Sequence, residues 1–149
     1  MSKSTDAIRG RCLCAGVEFE LQPPSDFCAH CHCESCRLSH GAAFVTWTSV
    51  AADHFRITAG GDLVRWYRSS DWIEWGFCGR CGSSMLYRAI GEGHAEAPKL
   101  DRMYVTVASL TEPLDREPSV HVSYEERAPW HEVGDGLPKH RGKTDELME

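Results

Sequence analysis

Eight cysteines in a chain of 149 residues are the side chains best suited to chemistry. They fall in close groups: Cys12-Leu13-Cys14, then Cys28-Ala29-His30-Cys31 running into Cys33-Glu34-Ser35-Cys36, then Cys78-Gly79-Arg80-Cys81 followed by Gly82. Spacers of one or two residues let the chain curl so that neighbouring sulfurs face one ion. A glycine after the second cysteine suits the tight turn that aims backbone amides at thiolates. Zinc takes four ligands in a tetrahedron, with sulfur at about 2.3 Å. Disulfides explain such pairs poorly in a cytosolic chain, because that compartment keeps thiols reduced. The spacing predicts metal.

The sulfurs divide into two groups. Residues 28–36 are compact enough to serve one ion locally. That leaves Cys12 and Cys14 to join Cys78 and Cys81 in a closed, structural site between segments far apart in sequence. Cys31, Cys33 and Cys36 can bind a second ion together. Cys28 could add a fourth sulfur, although four ligands from so short a segment crowd one tetrahedron. Three sulfurs would leave a position for water or substrate, as a catalytic zinc requires. A substrate thiol in that position would have a lowered pKa and be available as thiolate. Two purely structural sites, as in zinc ribbons, are the alternative. The run Cys28-Ala29-His30-Cys31-His32 also matches the haem-attachment pattern, but covalent haem needs export and would break up the neighbouring Cys33 and Cys36 pair. Arg37 follows the trio directly and is a candidate partner for a substrate carboxylate. His30 and His32 lie between the cysteines as candidate donors or acceptors.

The elements that must position these residues read as short strands. Val17, Phe19 and Leu21 point one way and Glu18 and Glu20 the other, the period-two pattern of a half-buried strand. Similar readings cover Phe44–Thr48, Phe55–Thr58, Ile73–Phe77, Met103–Val107 and Val120–Tyr124. Turn signals separate them: Pro23-Pro24, Gly60-Gly61-Asp62, Gly91-Glu92-Gly93 and Glu112-Pro113. Ser35–His40 can make one helical turn. Trp47, Trp66, Trp72, Trp75 and Trp130 read as core and strand-face residues. The chain is therefore expected to be one all-β domain of short strands. Such strands bury little continuous core and need a staple, for which the cysteines are the candidates.

Composition narrows the partners. A net charge of −6 and a pI near 5.7 argue against a phosphate-binding nucleic-acid surface. No apolar run approaches the roughly 20 residues that span a bilayer. Residues Met1–Gly10 are polar and mixed in charge, so a cytoplasmic address is expected.

Several of these motifs resemble one family. Gly10-Arg11-Cys12-Leu13-Cys14, Cys31-His32-Cys33-Glu34-Ser35-Cys36-Arg37, Gly41-Ala42-Ala43-Phe44 and Phe77-Cys78-Gly79-Arg80-Cys81-Gly82 are similar to the glutathione-dependent formaldehyde-activating enzymes, a family that includes centromere protein V. His121, Trp130 and Asp135-Gly136-Leu137-Pro138 resemble its C-terminal part. The resemblance implies a domain over residues 9–138, with 139–149 as a charged tail. It implies an Mss4-like fold of several small, coiled antiparallel sheets stapled by zinc. Two zinc ions (Zn2+) would be held: a structural one by Cys12, Cys14, Cys78 and Cys81, and a catalytic one by Cys31, Cys33 and Cys36. The implied activity is that of a carbon–sulfur lyase joining a small thiol, glutathione, to an aldehyde, formaldehyde, and reversing it. A non-catalytic zinc module that binds a protein partner is the alternative. Three departures stand out: Ala15 where the family has glycine, Gly76 where a basic residue is expected, and Cys28 as an extra cysteine.

Overall fold

Val17, Phe19 and Leu21 are fully buried while Glu18 is exposed, so the alternation read from sequence does sort this strand between core and solvent. The computed structural model of the protein describes residues 6–91 and 99–143. β1 (Ile8–Arg11) pairs antiparallel with β2 (Glu18–Leu21), and β2 with β5 (Phe55–Ala59), giving a three-stranded sheet. The second sheet has seven strands. Its members are β3 (Ala29–Cys31), β4 (Val45–Ala51), β6 (Val64–Arg68), β7 (Ile73–Cys78), β8 (Ser84–Ala89), β9 (Arg102–Thr106) and β10 (Val120–Val122). Their order is β10-β3-β4-β9-β8-β7-β6, antiparallel except where β10 runs parallel to β3. The fold is all-β and of the Mss4-like kind.

Two cores hold the sheets. The larger brings Ile8, Phe19 and Leu21 of the small sheet, with Val17 just before β2, against Val50, Val64, Met85, Leu86 and Val105 of the large one, with Cys12 and Cys78 inside it. The smaller gathers Cys31, Cys33 and Cys36 with Val45, Trp47 and Tyr104. Each sulfur group thus sits within a hydrophobic cluster, where thiolates are costly unless a cation offsets their charge.

α1 (Glu34–His40) is longer than the single turn expected. Its start is a cysteine: Cys33 is the N-cap, and its Sγ accepts a hydrogen bond from the Cys36 amide at 3.3 Å. Its end is Gly41, left-handed at φ 61°, whose amide donates to the Arg37 carbonyl. Strand β10 is shorter than the expected Val120–Tyr124. Ser123 has φ 51°, which turns the chain away after Val122 into a short 3-10 turn.

Trp47 is buried, and Trp66, Trp72 and Trp75 are half-buried. Trp130 corrects the expectation, because it is 73% exposed and lies outside any strand. Gly76 explains its own departure from the family pattern. A Cβ there would meet the Trp66 ring at 2.9 Å, and Arg88 stacks on that ring with its guanidinium carbon 3.7 Å from the centroid. The Trp66–Arg88 pair occupies the space that a side chain at position 76 would need.

Within the expected tail, Lys139 bridges His121, and the Tyr124 and Ser123 amides donate to the His140 and Gly142 carbonyls. Its remainder, 144–149, lies outside the described residues, as does most of the Gly91-Glu92-Gly93 turn. Among the described residues no helix is long and apolar enough to cross a membrane.

Candidate metal centres

Cys12 and Cys14 lie on the loop after β1, Cys78 ends β7, and Cys81 lies in the turn before β8. Their four sulfurs all lie within 4.8 Å of one another. Cys12 and Cys14 Sγ are 3.5 Å apart, and Cys14 and Cys78 Sγ 3.9 Å. A tetrahedral ion with sulfur at about 2.3 Å sets its ligands roughly 3.8 Å apart, so the spacing suits zinc. Hydrogen bonds converge on the sulfurs. The Val17 amide donates to Cys12 at 3.2 Å, the Arg80 amide to Cys78 at 3.4 Å, and Arg80 Nε to Cys14 at 3.3 Å.

Those donors act on acidity. The Gly16 amide, and then Arg80, hold the Cys14 thiol below its ordinary range. The Ser83 hydroxyl leads in bringing Cys81 down to about 5. Burial instead pushes Cys12 up. Ala15, the first departure, adopts φ 61°, a left-handed conformation that favours glycine. Its amide closes the knuckle by donating to the Cys12 carbonyl at 3.1 Å.

The second group is built differently. Cys31 ends β3, Cys33 caps α1, and Cys36 lies in its first turns, so strand, cap and helix each contribute one sulfur. All three are buried, and their sulfurs lie within 4.8 Å of one another. Trp47 Nε1 donates to Cys36 Sγ at 3.3 Å. Hydrogen bonding among the sulfurs pulls the Cys33 thiol down and pushes Cys31 and Cys36 up. A divalent cation is the group that would let all three ionise. The donor set, three sulfurs buried in a hydrophobic cluster, fits zinc.

Cys28 does not join them. It lies just before β3, where successive side chains alternate, so its sulfur goes to the opposite face from Cys31. It is buried there, and burial raises its thiol pKa. Among the described residues the central group brings together the sulfurs of Cys31, Cys33 and Cys36 without that of Cys28.

Arg37 is half-buried on α1, with Nε donating to the His32 carbonyl at 3.4 Å. His32 is buried and hydrogen-bonded to His121, Nε2 to Nδ1, at 2.8 Å. His30 Nδ1 is hydrogen-bonded to Thr46 Oγ1 at 2.7 Å. Neither histidine joins the sulfur trio.

An open groove of about 820 Å³ is lined by Arg11, Cys12, Ser39, His40, Phe44 and Thr106 among others. None of the three central cysteines lines it. His40 forms the link. Its Nδ1 lies 3.2 Å from the Cys36 carbonyl, its ring meets Trp47 edge-on at 5.5 Å, and its buried Nε2 has no hydrogen-bond partner among the described residues. Sequence reading missed His40 and the Trp47 contact. The one available signal was that His40 is four residues after Cys36, on the same helix face.

Trp47→Phe isolates the indole N–H. It keeps most of the buried ring area and removes the donor to Cys36 Sγ. Loss of a hydrogen-bond partner of a metal ligand typically costs about 10–100-fold in metal affinity. Chelator competition should show a loss of that size at the central site only, with the four-cysteine site unchanged.

A β-domain that gathers distant cysteines into one four-sulfur and one three-sulfur cluster defines a class: a small β-protein whose cysteine clusters could hold zinc. The family described as glutathione-dependent formaldehyde-activating enzyme matches residues 7–126, and the chain belongs to that family. A Rhodobacter sphaeroides protein of known crystal structure is similar, with TM-score 0.55 and 23% identity over 70% of this chain and 88% of that one. At that identity the likeness concerns the fold alone. No curated protein matches the chain.

Proposed function

We propose that this chain is a carbon–sulfur lyase and synthase acting on a thiol–aldehyde adduct of the S-(hydroxymethyl)glutathione type, with two zinc ions per chain. The observation that carries the reading is the central trio: three buried sulfurs converge while the neighbouring Cys28 is held on another face. Zinc bound there would supply a vacant coordination position and lower the pKa of a thiol that fills it. Cys31, Cys33 and Cys36 hold the ion, and Trp47 fixes the Cys36 sulfur through its N–H. Cys12, Cys14, Cys78 and Cys81 form the closed set, which staples the two sheets.

In the forward direction a C–S bond forms between the thiol sulfur and the aldehyde carbon, and the thiol proton ends on the former carbonyl oxygen. In reverse that bond breaks and the proton returns to sulfur. Thiols add to formaldehyde readily unaided, so the chain contributes mostly by capturing and orienting the thiol. Arg37 borders the trio and can hold a substrate carboxylate by paired hydrogen bonds. The working unit spans residues 9–138. Cysteines that hold metal need reduced thiols, so the proposed setting is cytoplasmic.

The test replaces zinc with cobalt and titrates glutathione. A new sulfur-to-cobalt absorption that saturates at one thiol per chain is the expected result. If the spectrum does not change, the central position is closed, and a non-catalytic module for protein interaction replaces the enzyme reading.

A further inference from the structure

Outside both sulfur clusters, His30, His121 and Asp135 bring three metal-ligating atoms within 4.8 Å of one another. The parallel pairing of β3 and β10 creates the arrangement. Its register sets His30 opposite His121, with ring centroids 4.8 Å apart and planes tilted by 34°. Asp135 arrives from the loop beyond, and its two carboxylate oxygens lie 3.1 and 2.8 Å from His121 Nε2. The Leu137 amide donates to Oδ1 at 3.1 Å and fixes the carboxylate's orientation.

The remaining ring nitrogens are already engaged. His30 Nδ1 bonds Thr46 Oγ1 at 2.7 Å, and His121 Nδ1 bonds His32 Nε2 at 2.8 Å. Metal-ligating histidines are held in this way: one nitrogen binds the ion while the other donates to a polar partner that sets ring orientation. With Nδ1 so used on both rings, Nε2 is the atom each offers. A simple Asp–His hydrogen bond requires neither the second imidazole nor its own anchoring partner. Bonds of about 2.1 Å at right angles place neighbouring ligand atoms about 3.0 Å apart, close to the His121–Asp135 separation.

We propose that His30, His121 and Asp135 form a third metal site, for a first-row divalent transition ion in six-coordinate geometry. Two imidazoles and one carboxylate supply one face, and water fills the other three positions. His121 is fully buried and forms the floor, whereas the Asp135 side chain is 40% exposed and forms the mouth. The site draws on β3, β10 and the loop at 135, so its ion would pin that loop to the parallel strand pair. Nothing in it depends on the chemistry at the sulfur trio.

The experiment titrates the zinc-loaded full-length protein with Co(II), then removes excess metal and counts ions per chain. The wild type should retain one ion more than Asp135→Ala. Its added cobalt should show weak d–d bands without sulfur-to-cobalt charge transfer, which separates this site from exchange at the cysteines. Cobalt affinity should fall by roughly 100-fold or more in Asp135→Ala and also in His30→Gln, the second variant guarding against a folding defect in the first. Unchanged far-ultraviolet circular dichroism in both variants reports that they are folded. An equal ion count in wild type and both variants, or added cobalt carrying charge-transfer bands, overturns the proposal and leaves a metal-free hydrogen-bonded array.

Discussion

Cys78→Ser is expected to leave the chain unfolded in ordinary buffer, with far-ultraviolet circular dichroism lost and zinc content reduced. Cys78 is 0% exposed, ends β7 within the larger core, and shares its ion site with Cys12 and Cys14 from the loop after β1. The site therefore ties the small sheet to the large one. Structural zinc in small domains contributes about 10–16 kcal/mol at neutral pH. A domain of ordinary stability has only about 5–15 kcal/mol in total. Losing one of four ligands forfeits much of the first figure. The new serine hydroxyl, buried among Val64, Met85 and Leu86, adds a further cost of about 1–3 kcal/mol if it finds no partner. A Cys78→Ser protein that keeps its fold and its full zinc complement would show that this cluster is not a structural site. Strong chelators should unfold the wild type for the same reason.

Cys33→Ser should behave in the opposite way, retaining the fold while losing function. Cys33 is the N-cap of α1, and serine is among the best N-caps, so the helix start survives the change. The sulfur trio does not survive as a thiolate set. Zinc should fall by one ion per chain. Thiol-dependent turnover of the hydroxymethyl adduct should fall by more than the roughly 100-fold expected from losing a ligand's hydrogen-bond partner. Metal analysis, circular dichroism and an adduct assay on one preparation separate the three readouts. Full activity with undiminished zinc would remove Cys33 from the site.

The contrast between these two variants follows from where each sulfur sits, and only part of that was visible in the sequence. Strands with one face in water announced themselves: Val17, Phe19 and Leu21 against Glu18 is the clearest example. Strand β8 did not, because Met85 and Leu86 are adjacent and both buried, which erases the alternation. Strand β3 is three residues long and made of cysteine, histidine and alanine, too short for any period to show. The start of α1 was hidden because its cap is a cysteine, a residue outside the usual capping set.

Among the site residues, the two sulfur groups were legible from spacing. Ligands one to three residues apart must share a neighbourhood whatever the rest of the chain does. The exclusion of Cys28 was not, since it depends on which strand face the sulfur takes. Trp47 on Cys36, His40 on Trp47 and the Asp135 carboxylate on His121 were equally hidden.

The amino-acid sequence by itself determined which cysteines lie close together within each short segment, because short spacers are a local property. Tertiary structure alone decided that the central group stops at three sulfurs, and that His30 meets His121 across a separation of 91 residues. The physical reason is that strand pairing is a long-range event. Register and facing are set by which apolar surfaces bury together, and no local pattern carries that information.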